Sequence, residues 1–268
     1  MTIKEMQTCT VETLSYFIQT MPDVPFAECD VIIEFVPQKD IVRRYKELCA
    51  IYCPEKIIND RQYADLAANV AANALIGREK SAVLVCIDYK QNADNLRRIL
   101  FHEFMHIFCA KSEMDGEHFI DIYGTGTTSD NPENSMYDGQ LASGYEIWEE
   151  FIAHYYSFKY TEKAYQLYEV HEMISELLDE VRLEYQISAK GCFSYACAAF
   201  LNAKDASEEY RSLREEHHDS QVGGAFYDCL GILYDKLQED KPWLLTEEFI
   251  AELGKKYVLY MTIQSMVN

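Results

Sequence analysis

The residues of this chain best suited to chemistry stand together in Phe101-His102-Glu103-Phe104-Met105-His106. Positions four apart fall on one face of a helix, so His102 and His106 can grip one metal ion between them. Glu103 projects beside them, where it can reach a water on that metal. Two imidazoles suit zinc, and a neighbouring carboxylate suits a general base. Zinc that does chemistry takes three protein ligands and keeps a fourth position open. The chain must therefore supply a third ligand, a rigid helix for the pair and a platform for whatever reacts.

The helix is legible. Leu96, Ile99, Leu100, Ile107 and Phe108 recur at helical spacing, and Asn92 or Asp94 can cap the start, so a helix is expected to about Cys109 or Ala110. Ser81–Asp88 just before it is apolar almost throughout and reads as a strand buried on both faces. Read as an edge strand along a cleft, the stretch near Val83–Ile87 could align an extended peptide.

Further upstream, residues 1–21 read as an amphipathic helix with Val11, Leu14, Phe17 and Ile18 inward, ended by Pro22 and Pro25. Val31–Val36 reads as a strand, and Asp40 caps a helix through Ile41, Tyr45, Leu48 and Tyr52. Asp60–Ile76 is alanine-rich and predicts a helix closed by Gly77. Residues 111–144 are broken by Gly116, Gly124, Gly126, Gly139 and Gly144 and read as irregular, with one short strand at Phe119–Tyr123. Helices are then expected from about Tyr145 to Tyr160, over Thr161–Ile187, over Phe193–Asn202 after a break at Gly191, over Val222–Leu237, and over Leu244–Met261 with Pro242 at its start. The fold class this implies is α+β, predominantly helical, with a small mixed sheet and a C-terminal helical region. Residues 1–158 are expected to form the catalytic core and 159–268 a helical subdomain, unless the chain is one domain.

Two sources of a third ligand can be weighed. A third histidine six residues after His106, in the extended motif with glycine between, is excluded, because Cys109 and Ser112 occupy the positions it needs. A glutamate from a second helix remains, and Tyr145–His154 offers Glu146, Glu149 and Glu150. Glu146 and Glu150 share a helix face, and Glu149 lies about 100° away, so helix phase alone leaves all three open. His154 reads either as a hydrogen-bond partner for a zinc-binding histidine or as an ordinary helix residue. His118 lies in the irregular stretch, and His217-His218-Asp219 reads as a charged surface turn. Cys109 in its apolar setting makes no nucleophile pair with His106. Gly124-Thr125-Gly126 lacks the lysine and helix of a phosphate loop.

His102-Glu103-x-x-His106 followed by Trp148-x-Glu150-x-x-Ala153 resembles the gluzincin branch of zinc metallopeptidases, over roughly residues 81–158. The resemblance implies a zincin-like core and hydrolysis of peptide bonds by metal-activated water. It implies Zn²⁺ on His102, His106 and Glu150, Glu103 as general base, Ala153 against the active helix and His154 supporting a histidine ligand. The alternative is a catalytically inactive zinc-binding protein or a helical protein-interaction module.

Bulk properties narrow the partners. The chain has 268 residues, 45 acidic against 24 basic, and a net charge of -21, which disfavours nucleic acid and anionic membranes. A peptide or protein substrate is the expected partner. Nine scattered cysteines without a C-x-x-C spacing read as small buried hydrophobes in a reducing compartment. The N-terminus has no leader pattern, and no stretch approaches about 18 uninterrupted apolar residues. The expectation is a soluble, cytoplasmic protein.

Overall fold

Thr2 opens the first helix with a capping box: its side chain accepts from the Glu5 N–H at 3.2 Å, and the Glu5 carboxylate accepts from the Thr2 N–H at 2.7 Å. From there the computed structural model describes residues 1–54, 63, 66, 71–90, 92–112, 132–161, 186–203 and 221–267. The chain divides into two compact units, Met1–Thr125 and Gly126–Asn268. The helix that carries Glu150 belongs to the second. Among the described residues there are seven α-helices and one mixed three-stranded sheet.

In the first unit, helix α1 (Ile3–Thr20) buries Met6, Cys9, Leu14 and Phe17 along one stripe. Val11, expected inward, lies on the far side of that stripe and is exposed. Strand β1 (Val31–Val36) leads into α2 (Ile41–Tyr52), then β2 (Ala72–Leu75) and β3 (Ser81–Cys86), and helix α3 (Ala93–Lys111) follows. The sheet order is β1-β3-β2, with β1 parallel and β2 antiparallel to β3.

Two expectations change here. Every residue of β3 is buried, and β3 lies between both partners. Its backbone donors and acceptors are engaged on each side, so it is not the edge strand that would receive a peptide. Two-sided apolarity is the mark of a central strand. Ala72–Leu75 is a strand, not the end of an alanine-rich helix. Pairing with β3 and burial of Ala72 and Leu75 override alanine's local preference. Most of the rest of that expected helix lies outside the described residues.

One face of the sheet packs on α2 through Val36, Ile41, Tyr45, Leu48, Leu75 and Leu84. The other layer is aromatic. Phe17 of α1 meets Phe101, Phe104 and Phe108 of α3 at ring-centroid distances of 4.8, 5.8 and 6.1 Å. Asn92 caps α3 by accepting from the Asn95 N–H at 2.8 Å. Ser112 closes it with both its N–H and its hydroxyl on the Phe108 carbonyl.

The second unit is helical among its described residues: α4 (Pro132–Tyr160), α5 (Gln186–Asn202), α6 (Gln221–Leu237) and α7 (Glu247–Val267). Helix α4 starts at Pro132, well before the expected Tyr145, and runs through Gly139 and Gly144. Gly144 is there for contact. A Cβ on it would stand 2.0 Å from the Ile250 carbonyl oxygen, and one on Gly254 would stand 1.7 Å from that of Gln140. The backbones of α4 and α7 therefore touch. Helix α5 is continuous through Gly191, which breaks nothing: a Cβ there would meet no atom within 4 Å. Helix α7 begins after the expected Leu244, because Thr246 caps it, accepting from the Phe249 N–H at 3.2 Å, and Pro242 stays ahead in the turn.

Trp148 meets Phe249 edge-on at 5.0 Å, and Phe193 packs on Phe226, Tyr257 and Tyr260. The Ser194 hydroxyl donates to the Ile147 carbonyl at 3.0 Å, tying α5 to α4. The Phe119–Tyr123 strand and nearly all of the Thr161–Ile187 helix lie outside the described residues. All nine cysteines are free thiols. Among the described residues no helix is long and apolar enough to cross a membrane.

Candidate metal site

Helix α3 distributes its side chains by phase. Phe101, Phe104 and Phe108 turn to Phe17 and are fully buried. His102 and His106 leave on another face and are half-buried. Their rings cross at 85° with centroids 4.6 Å apart, and their Nε2 atoms are 2.9 Å apart. Two nitrogen lone pairs this close repel unless a positive charge lies between them. A proton on one ring supplies it, as does a metal ion.

Glu103 sits between those two faces and is only 8% exposed. Its Oε2 accepts from the backbone N–H of Ala74 at 2.7 Å. The register explains why that N–H is on offer. Cys86 donates to the Ala71 carbonyl, which makes 71 and 86 a hydrogen-bonded pair across β2 and β3. By alternation the N–H groups of Ala72 and Ala74 then point to the side of β2 away from β3. The strand edge nearest Glu103 is thus β2.

Lys111, two turns on from Glu103 along α3, makes a second tie. Its ammonium donates to the carbonyls of Gly77 and Arg78 at 3.0 Å each and of Glu79 at 3.4 Å. Burial pushes the Lys111 pKa down from the usual lysine range. The turn between β2 and β3 is therefore fastened to the end of the helix that carries both histidines.

In the second unit the three candidate glutamates separate. Glu146 is exposed and pairs with Lys190 of α5. Glu149 and Glu150 are half-buried. Glu150 Oε2 lies 3.7 Å from His154 Nε2, one turn further along α4. The His154 ring stacks on Phe158 at 5.8 Å and meets Tyr195 edge-on at 5.0 Å. Phe158 is buried to 1% exposure, so this wall is rigid. Ala153 is fully buried.

The structure thus brings His102 to His106, Glu103 to the edge of β2, and Glu150 to His154, while it turns Glu146 to Lys190. Cys109 is half-buried at the end of α3. His118, His217 and His218 lie outside the described residues. The Ala74 N–H, Lys111 and Tyr195 were not singled out from the sequence. For Ala74 the available signal was Gly77 and a charged turn between two short apolar runs. For Tyr195 there was none, because its partner is 41 residues away.

The donor types on α3 fit zinc: two imidazoles converging through Nε2, with a carboxylate beside them. Set beside known proteins, the chain stands by itself: no family model, no curated protein and no solved structure matches it.

Proposed function

We propose that this chain is a zinc-dependent metallopeptidase of the gluzincin type, with a zincin-like core made by α3 and the mixed sheet. The observation that carries the reading is the 2.9 Å approach of His102 Nε2 to His106 Nε2 on a helix pinned from two sides. His102, His106 and Glu150 would hold the zinc. Glu150 is preferred to Glu146, which is spent on Lys190. When bound, zinc supplies a Lewis acid for a carbonyl and a water of lowered pKa.

The chain's own residues do the rest. Glu103 takes the proton of the attacking water on its carboxylate and delivers it to the nitrogen of the departing amine. The Ala74 N–H fixes the direction of that carboxylate. Burial of the Glu103 stem keeps bulk water from competing for the proton. The substrate is a peptide or protein. A net charge of -21 argues against nucleic acid and anionic membranes, and nine free thiols suit the cytoplasm.

The test is a pair of variants assayed for zinc content and for cleavage of a peptide library. Glu103→Gln should retain stoichiometric zinc and lose about 10²- to 10⁴-fold in hydrolysis. His102→Ala, or chelation of the wild type, should remove the metal and the activity together. Full activity in Glu103→Gln would sink the mechanism. Stoichiometric zinc with no cleavage by the wild type would assign a non-hydrolytic metalloprotein.

A further inference from the structure

Three consecutive carbonyl oxygens, those of Gly77, Arg78 and Glu79, converge on the Lys111 ammonium at 3.0, 3.0 and 3.4 Å. An ammonium has three donors, and the main chain of one turn takes all of them. Carbonyl dipoles repel where their oxygens meet at a point, so the turn keeps this shape around the cation. Lys111 stands in the last turn of α3, where a positive charge also suits the helix end.

The same helix and the same hairpin meet a second time, where Glu103 Oε2 accepts from the Ala74 N–H at 2.7 Å. From Glu103 to Lys111 is eight residues of helix, about 12 Å. From Ala74 to Gly77 is three residues, about 10 Å when extended. Helix α3 and the hairpin are thus two rails of similar length with a rung at each end. Asn73 and Leu75 carry the ladder to β3, and the Ala74 N–H takes no part in it. The ladder sets the spacing of the strands, and the hold on the hairpin tip sets how β2 faces α3. Cys53, just after α2, holds that tip as well, its thiol donating to the Ile76 carbonyl at 2.8 Å.

We propose that Lys111 is a positioning residue for the reaction: by fixing the tip of the β2–β3 hairpin to α3, it holds the Ala74 N–H against the Glu103 carboxylate and so aims the general base. The inference rests on the metallopeptidase reading. The competing account is a lysine that only steadies the end of α3.

The test uses the zinc-loaded full chain and a fluorogenic peptide taken from the library sequences it cleaves. Lys111→Met should lose about 10-fold in kcat with KM and zinc content unchanged, since an ångström of misplacement can cost about 100-fold. Lys111→Arg should recover most of that loss. Ala74→Pro deletes the donor without touching the ladder and should lose a similar factor. The double variant Lys111→Met/Ala74→Pro should lose no more than Ala74→Pro alone, because Lys111 acts through that N–H. Losses that multiply to about 100-fold would overturn the proposal, and so would an unaltered kcat in Lys111→Met. The Ala74 amide proton gives a reading independent of cleavage. Bonded to a carboxylate, it should lie downfield in the wild type and move upfield in Lys111→Met, as it does in Glu103→Gln. An amide unmoved by Lys111→Met would overturn the proposal. A chain that shows this shift and cleaves no peptide would remove the metallopeptidase reading and keep Lys111 as the group that aims Glu103.

Discussion

The two helices that carry the candidate site residues are secured by different means. Helix α3 is held by side chains: an aromatic layer on one face, Glu103 on the Ala74 N–H, and Lys111 on three carbonyls. Helix α4 adds to side-chain contacts at Trp148 and Ile147 a crossing without side chains, where Gly144 and Gly254 let two backbones meet. The first arrangement is distributed and yields gradually to substitution. The second includes one crossing that tolerates no added side chain. A pair of side chains one turn apart can be made rigid either way, but the two kinds of rigidity fail differently.

Substitutions test that contrast. Gly254→Val should have the largest effect. Its Cβ would lie 1.7 Å from a backbone oxygen, which no rotamer relieves. The cost is about 3 kcal/mol or more. Hydrogen exchange should show lost protection in α4 and α7 while β3 and α3 keep theirs. Equal loss in both units would break the comparison. Phe17→Ala removes the ring on which three phenylalanines of α3 converge and should cost about 3–5 kcal/mol in chemical denaturation. The loss should fall in the first unit.

Lys111→Met should be milder, at about 1–2 kcal/mol, since it removes charge-assisted bonds at a half-buried site. Its signature is local: faster amide exchange at Ala74 and over residues 77–80, with zinc stoichiometry unchanged. Undisturbed exchange there would show that the aromatic layer alone holds the β2 turn.

The smallest perturbation sharpens the contrast without changing stability. Cys29 and Cys192 are exposed, while Cys197 and Cys229 are buried. Burial pushes the Cys197 thiol well up and the Cys229 thiol up to about 12, so neither is a thiolate at neutral pH. A maleimide should label Cys29 and Cys192 within minutes and the buried pair only when the second unit opens. Cys192 and Cys197 share helix α5, so their rates read opening without confusion from sequence context. Rapid labelling of Cys197 in the native protein would contradict tight packing of that unit.

The sequence showed most of the first unit's plan because its signals are periodic. The His-Glu-x-x-His helix, its Asn92 cap and the two-sided burial of β3 are all local patterns. What it hid was non-local. Whether β3 was central or an edge depended on β2, and β2 looked helical because its residues are alanines whose strand state comes only from pairing. Gly144 read as a helix breaker, since a glycine that ends a helix and one that admits a neighbour look alike in one dimension. The Glu–His pair was visible as spacing, but the Phe158–Tyr195 wall around His154 required the fold. The site divides the same way: which residues could ligate was legible, and how each is oriented was not.

The bare crossing of α4 and α7 has a consequence for motion. Interlocked backbones cannot slide past one another, because a shift of one residue along either axis drives a Cβ into a carbonyl. Glu150 and His154 lie six and ten residues beyond Gly144 on α4, about 9 and 15 Å along the axis. The crossing therefore fixes the axial position of both side chains from one point, while the Ser194 hydroxyl on the Ile147 carbonyl and the edge-on Trp148–Phe249 contact hold the helix against tilting.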